Sequence, residues 1–153
     1  SAAVLDGTDI VYVLRVPVHK IMRISLGVGS RLPAYCTSMG RVLLAGLPDA
    51  QAEQRLTACD RPALTRTTLT DLDALMASVR QARQQGWCLV DQELEEGLIS
   101  LAAPITDRAG NTVAALNISG QANRTSAPVM QATMLPQLLE AARQISRLLP
   151  ASR

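Results

Sequence analysis

Two β-prone runs, at residues 99–106 and 112–119, constrain the fold most, because the turn cluster Asp107-Arg108-Ala109-Gly110-Asn111 joins them directly. Runs of this length around such a cluster form a hairpin. On the first run the odd positions Ile99, Leu101, Ala103 and Ile105 are apolar, and the even positions are Ser100, Ala102, Pro104 and Thr106. On the second the even positions Ala114, Leu116 and Ile118 are apolar, and the odd ones are Val113, Ala115, Asn117 and Ser119. Side chains alternate across a strand, so each strand carries one greasy face and one face of small and polar residues. If the mixed faces are shared, Ser100, Asn117 and Ser119 converge. Such a face is either wetted by solvent or a cleft with a few placed hydrogen-bonding groups, as small-molecule pockets require.

The remaining elements read as follows. Residues 4–18 suggest another hairpin, turning at Asp6-Gly7-Thr8-Asp9 and ended by Pro17. Residues 21–26 read as a strand with Met22, Ile24 and Leu26 on one face. Thr37 or Ser38 is placed to cap a helix running to Gly46, and a short helix starts at Pro48-Asp49. Residues 57–69, with Pro62 and several threonines, read as loop. Thr70-Asp71-Leu72-Asp73 resembles a capping box with Asp in place of Glu. The helix after it carries Leu72, Leu75, Met76, Val79 and Ala82 at helical spacing, and Gly86 stops it. Residues 87–90 read as a strand and residues 91–97 as an acidic loop. Pro128 opens a long C-terminal helix that Pro136 should kink or split. Antiparallel strands interrupted and finished by helices make an α+β domain.

The chain's 153 residues fit one domain, and 48% hydrophobic residues can build a core without staples. There is no Phe, one Trp and two Tyr, so no aromatic platform for single-stranded nucleic acid is available. A net charge of +2 gives no argument for a nucleic-acid or membrane surface. Cys36, Cys59 and Cys88 form no CxxC pair, which suggests a reducing compartment rather than a disulfide framework or zinc site. No signal peptide or membrane-spanning run is recognisable, so a cytoplasmic location is expected, with no membrane partner, no metal and no cofactor.

Chemistry gathers around residues 27–45. Two glycines and a proline lead through Cys36-Thr37-Ser38 into the helical run Val42-Leu43-Leu44-Ala45. Unpaired N–H groups at the start of that helix offer a place for a small anion, or serve only for capping. Gly40 in the first turn costs helix stability and permits close approach of another segment. Arg31 and Arg41 flank the turn, as solvated side chains or as partners for a carboxylate. Catalytic machinery is thin. Cys36 would need a base, and His19 is the only imidazole. The acids at 91, 93, 95 and 96 lack histidines or an EF-hand pattern and read as a solvated loop, from which Asp91 could still reach a pocket.

The block GVGSRLPAYCTSMGRVLLAGLP, residues 27–48, resembles the signature of the IclR-type transcriptional regulators, whose effector domains carry a pattern close to GxxxPxxxTxxGRxxLA. A second block, GWCLVDQELEEGLISLAAPITDRAGNTVAALNISG at residues 86–120, is similar to the same family in order and spacing. The wording RLPAYCTSMGRVLLA is nearest to the branch controlling aromatic-acid breakdown. The resemblance implies a GAF-like or profilin-like antiparallel sheet flanked by helices, with residues 1–153 as one effector-binding domain. It implies that operator DNA is bound through an N-terminal winged helix-turn-helix not recognisable in this chain, and that the domains associate into homodimers or homotetramers. Carried over, the small-acid site falls on Ile24, Leu32, Cys36, Ser38 and Met39, and across the sheet on Val90 or Asp91, Ser100, Asn117 and Ser119. Ser38 and Met39 stand where Gly and Ala can occur, Ser100 where Cys is found, and Asn117 where Ser is found. These departures bear on which ligand is taken. Expected effectors are protocatechuate, 4-hydroxybenzoate or β-ketoadipate. The competing readings are a ligand-independent dimerisation module and an enzyme using Cys36.

Overall fold

In the computed structural model, residues 1–16 and 26–150 are described. The hairpin read from alternation is there, as β5 (Leu98–Thr106) and β6 (Thr112–Gln121). Ser100 lies opposite Ser119 and Ala102 opposite Asn117, so the two mixed faces are indeed one face. The register slips between Ile105 and Thr106, next to the turn. A first hairpin, β1 (Ala2–Asp6) and β2 (Asp9–Leu14), turns through Gly7 at φ +62°. A three-residue strand β3 (Arg31–Pro33) was not foreseen; it adds to the β2 edge, where a proline costs no ladder bond on its open side. With β4 (Cys88–Asp91) the order is β3-β2-β1-β6-β5-β4, every neighbouring pair antiparallel. The strand expected at residues 21–26 lies largely outside the described residues.

Among the described residues five helices cover this sheet. On the mixed face lie α1 (Ser38–Ala45), α2 (Asp49–Thr57) and α3 (Leu72–Gln85). Ala3, Ile10, Tyr12, Ala102 and Ala115 of the strands pack there against α1 and against Leu75, Met76, Val79 and Ala82 of α3. On the greasy face Ile99, Leu101 and Ala103 pack against α4 (Ala127–Thr133) and α5 (Leu135–Leu148) through Met130, Leu138 and Ala142. Each fully buried Ile, Leu or Met contributes roughly 1.5–3 kcal/mol. Helix α3 is capped by Asp71, whose carboxylate accepts from the Ala74 amide, and ends on left-handed Gly86 at φ +82°. The C-terminal helix is split rather than kinked, at Met134, two residues before Pro136.

Helix α1 is the centre of the molecule, and all eight of its residues are buried. Thr37 starts it: its hydroxyl accepts from the Gly40 amide (3.2 Å) and donates to the Pro33 carbonyl (2.9 Å). Gly40 lies directly on the preceding turn, where an added Cβ would stand 2.1 Å from the Ala34 oxygen. The helix is thereby pressed N-terminus first against β5 and β6.

Candidate functional site

The first turn of α1 and the mixed face of the sheet enclose a narrow cleft with an open volume of only about 30 Å³. On the helix side it is lined by Cys36, Thr37, Ser38 and Met39, and on the sheet side by Val90, Ser100, Asn117 and Ser119. Leu32 of β3 joins them. Of the residues expected at the site, the structure thus brings together Leu32, Cys36, Ser38, Met39, Val90, Ser100, Asn117 and Ser119. Ile24 lies outside the described residues. Asp91 is a correction. It faces away from the cleft and is exposed, because Val90 pairs with Ser100 while Asp91 pairs with Ile99 on the opposite face.

Five lining residues were missed: Ile10 and Tyr12 on β2, Thr37, Leu94 and Leu98. In Ile10-Val11-Tyr12-Val13-Leu14 both alternating sets are apolar, so the run does not say which face is inward. Leu94 did leave a signal, as the one apolar residue in DQELEEG.

A chain of hydroxyls crosses the cleft. Ser38 Oγ and Ser100 Oγ are 2.7 Å apart, and Ser119 Oγ donates to Ser100 Oγ at 3.4 Å. Asn117 Nδ2 reaches Ser119 Oγ at 3.5 Å. Each serine has a single hydrogen to give. The Ser119 hydrogen goes to Ser100, and whichever way the Ser38–Ser100 bond runs, one hydroxyl hydrogen of that pair stays free. The amides of Ser38 and Met39, at the start of α1, have no acceptor within the helix. The cleft therefore presents donors, with the positive end of a helix dipole behind them. No charged residue is among its described lining residues.

Both flanking arginines are engaged elsewhere. Arg31 pairs with Asp6 (2.8 Å) and Asp9 (3.1 Å) at the surface. Arg41 is buried and grips both oxygens of Glu93, at 2.7 and 2.5 Å, while Nε and the second guanidinium nitrogen donate to the Tyr35 carbonyl at 3.1 and 3.0 Å. The loop read as solvated thus supplies one buried acid, Glu93. The physical signal was Arg41 itself, since an arginine in an otherwise apolar helix needs a partner. Which of four acids it takes depends on the loop's path.

Burial pushes the Cys36 thiol up to about 12, the opposite of what a nucleophile needs. It also raises Cys88 to about 11 and Tyr12 above the ordinary phenol value. The Tyr35 phenol, buried and donating to the Pro62 carbonyl at 2.7 Å, is pushed up to about 12. His19, the base that Cys36 would require, lies outside the described residues. Among the described residues no cluster of three or more His, Cys, Asp or Glu could hold a metal ion. No helix among them is long and apolar enough to cross a membrane.

Fold and cleft together define an α+β domain with a narrow, donor-lined cleft and no paired nucleophile and base among the described residues. Residues 2–147 match the family model described as the bacterial transcriptional regulator IclR C-terminal domain. The chain belongs to the IclR family of transcriptional regulators, a non-enzymatic family, and corresponds to its effector-binding domain. The Pca regulon regulatory protein of Pseudomonas putida is 46% identical over 146 residues, covering 95% of this chain and 50% of that protein. The chain thus spans about half the length of the curated relatives it matches. A crystal structure of a transcriptional regulator from Rhodococcus sp. RHA1 superposes with a TM-score of 0.90 at 49% identity, covering 95% of this chain and 58% of that one. The inducer-binding domain of PobR from Acinetobacter, a double mutant in complex with 3-hydroxybenzoic acid, superposes with a TM-score of 0.86 at 32% identity, covering 97% and 87%.

Proposed function

We propose that the cleft between α1 and the β5–β6 face is the effector site, and that it takes a small carboxylic acid of aromatic catabolism. The observation that carries this reading is the cleft's polarity. Its donors, the Ser38 and Met39 amides and the one free hydroxyl hydrogen of the Ser38–Ser100 pair, gather at one helix N-terminus, and its other described walls are largely apolar. A carboxylate would sit on those donors, with the ligand body against Ile10, Tyr12, Leu32 and Val90. Asn117 adds an amide that can meet a ring hydroxyl. Support also comes from the likeness to a relative's inducer-binding domain holding 3-hydroxybenzoic acid.

Protocatechuate, 4-hydroxybenzoate and β-ketoadipate are the candidates. The described lining residues are uncharged, so a second buried carboxylate would have to be met by a cation from beyond them, such as Arg15 over the Tyr12 ring. The Ser38–Ser100 bond bridges the cleft, so a ring enters only by parting that pair. A ligand that holds the walls apart has different affinities for two states of the domain, which is the thermodynamic requirement for a signal. The signal would reach operator DNA through an N-terminal DNA-binding region outside this chain, in a cytoplasmic homodimer or homotetramer.

Calorimetric titration of the 153-residue domain with the three acids tests the reading. Binding of one or both aromatic acids is expected, and Ser38→Trp should abolish it, with circular dichroism separating a blocked site from a lost fold. Binding of none of them, or unchanged affinity in Ser38→Trp, refutes it.

A further inference from the structure

The loop between β4 and β5 forms one wall of the cleft through Leu94, beside Leu98 at the start of β5. Its backbone does not follow an easy path. Gln92 adopts φ +61°, a left-handed conformation that non-glycine residues keep only where their surroundings hold it. Part of the hold is local: the Gln92 amide donates to the Leu98 carbonyl (2.9 Å), and its side-chain oxygen accepts from the Gly97 amide (2.9 Å). The rest comes from a segment without regular structure.

Residues 65–68, TRTT, lie alongside the loop. Thr65 Oγ1 donates to the Gln92 carbonyl at 2.6 Å, and Thr68 Oγ1 to the Glu93 carbonyl at 2.6 Å. Thr67 Oγ1 lies 2.9 Å from the Gln92 carbonyl and 3.2 Å from that of Asp91. Thus three hydroxyls address three consecutive carbonyls immediately before Leu94. The Glu93 side chain adds a fourth tie, accepting from the Leu69 amide (2.9 Å) while Arg41 grips it from α1.

We infer that residues 65–69 are a positioning clamp for the effector cleft, holding the backbone of residues 91–93 so that Leu94 and Leu98 stand as its fixed wall. None of the threonines touches the cavity, so they act through the loop and not on the ligand. The Arg41–Glu93 pair ties this wall to the helix whose first turn forms the opposite side, which sets the spacing between the two. The inference rests on the reading of the cleft as the effector site.

The test compares Thr65→Val/Thr68→Val, which removes both hydroxyls at nearly constant shape, as donors to the loop and as acceptors for the Thr67 and Thr65 amides, with Thr65→Ser/Thr68→Ser, which keeps them. Thr67→Val is a milder, exposed variant of the same sign. Amide hydrogen exchange and titration with 4-hydroxybenzoate and protocatechuate are both read on the 153-residue chain. In the valine variants residues 92–97 should exchange faster while the β5–β6 ladder keeps its protection. If the placed wall falls to a tenth of the population, affinity weakens about tenfold. The serine variant should match the wild type in both readouts. Wild-type loop exchange in the valine variants, or wild-type affinity in them, overturns the clamp. A wild-type chain that binds neither acid overturns the effector reading, and this inference with it.

Discussion

Replacing Gly40 by alanine sets two effects of opposite sign against each other. Alanine favours a helix interior over glycine by about 0.8–1 kcal/mol, so propensity alone predicts a more stable domain. Packing predicts the reverse. The new Cβ would stand 2.1 Å from the Ala34 oxygen, 2.4 Å from its Cα and 2.6 Å from its carbonyl carbon. Ordinary carbon contacts lie at about 3.5–4 Å, so helix and turn must separate by on the order of 1 Å. All the obstructing atoms are backbone, so no rotamer change relieves them. The turn itself is held by Thr37 on the Pro33 carbonyl, Arg41 on the Tyr35 carbonyl, and the Ala34 amide on the Thr8 carbonyl. Overpacking of this kind costs about 1–3 kcal/mol, and loss of the Thr37 cap adds about 1 kcal/mol. After the propensity gain, a net loss of about 1–3 kcal/mol is expected. For a domain of this size that lowers Tm by about 2–12 °C. Urea unfolding followed by circular dichroism should show a lower midpoint with an unchanged slope. Gly86→Ala is the control: nothing lies within 4 Å of its Cβ, and only the left-handed backbone is strained. A Gly40→Ala midpoint equal to or above wild type would refute the close-approach argument.

Arg41→Met should cost about 3–5 kcal/mol, because it leaves Glu93 as an unpaired buried charge. Adding Glu93→Leu should recover most of that loss, measured in the same urea assay. For the thiols, Cys36 ionises only near 12 when folded, against an ordinary thiol value when unfolded. Its contribution to stability is therefore complete below the ordinary thiol pKa and is lost as pH rises towards 12. Cys36→Ala should flatten the alkaline fall in midpoint, and native Cys36 and Cys88 should resist a thiol reagent at neutral pH that modifies them in urea. Asp91→Asn should leave effector affinity as it is, whereas Val90→Ala on the same strand should weaken it; equal effects by calorimetry would contradict the strand phase.

Much of the polar face of the cleft was legible in the chain. Strand phase put Ser100 on the mixed face of β5 and Asn117 and Ser119 on that of β6; that the two faces are shared was a condition, which the register of the hairpin met despite its slip beside the turn. Capping chemistry marked the start of α1, and glycine in its first turn marked the close approach. Whether the mixed face met water or a helix was not legible. Ser100 and Ala102 are as compatible with one as with the other until α1 is laid over them.

What the sequence determined by itself is therefore what depends on neighbours along the chain: the two hairpins, the helix caps, the break before Pro136, and the family blocks. Tertiary structure decided what depends on residues far apart. It turned Val90 inward and Asp91 outward, chose Glu93 from four acids as the partner of Arg41, and set Thr65, Thr67 and Thr68 against the loop that carries Leu94. The physical reason is that alternation, capping and turn chemistry act over a few residues. The partner of a buried charge or an unpaired carbonyl is chosen by the path of the whole chain, subject only to the requirement that some partner be found.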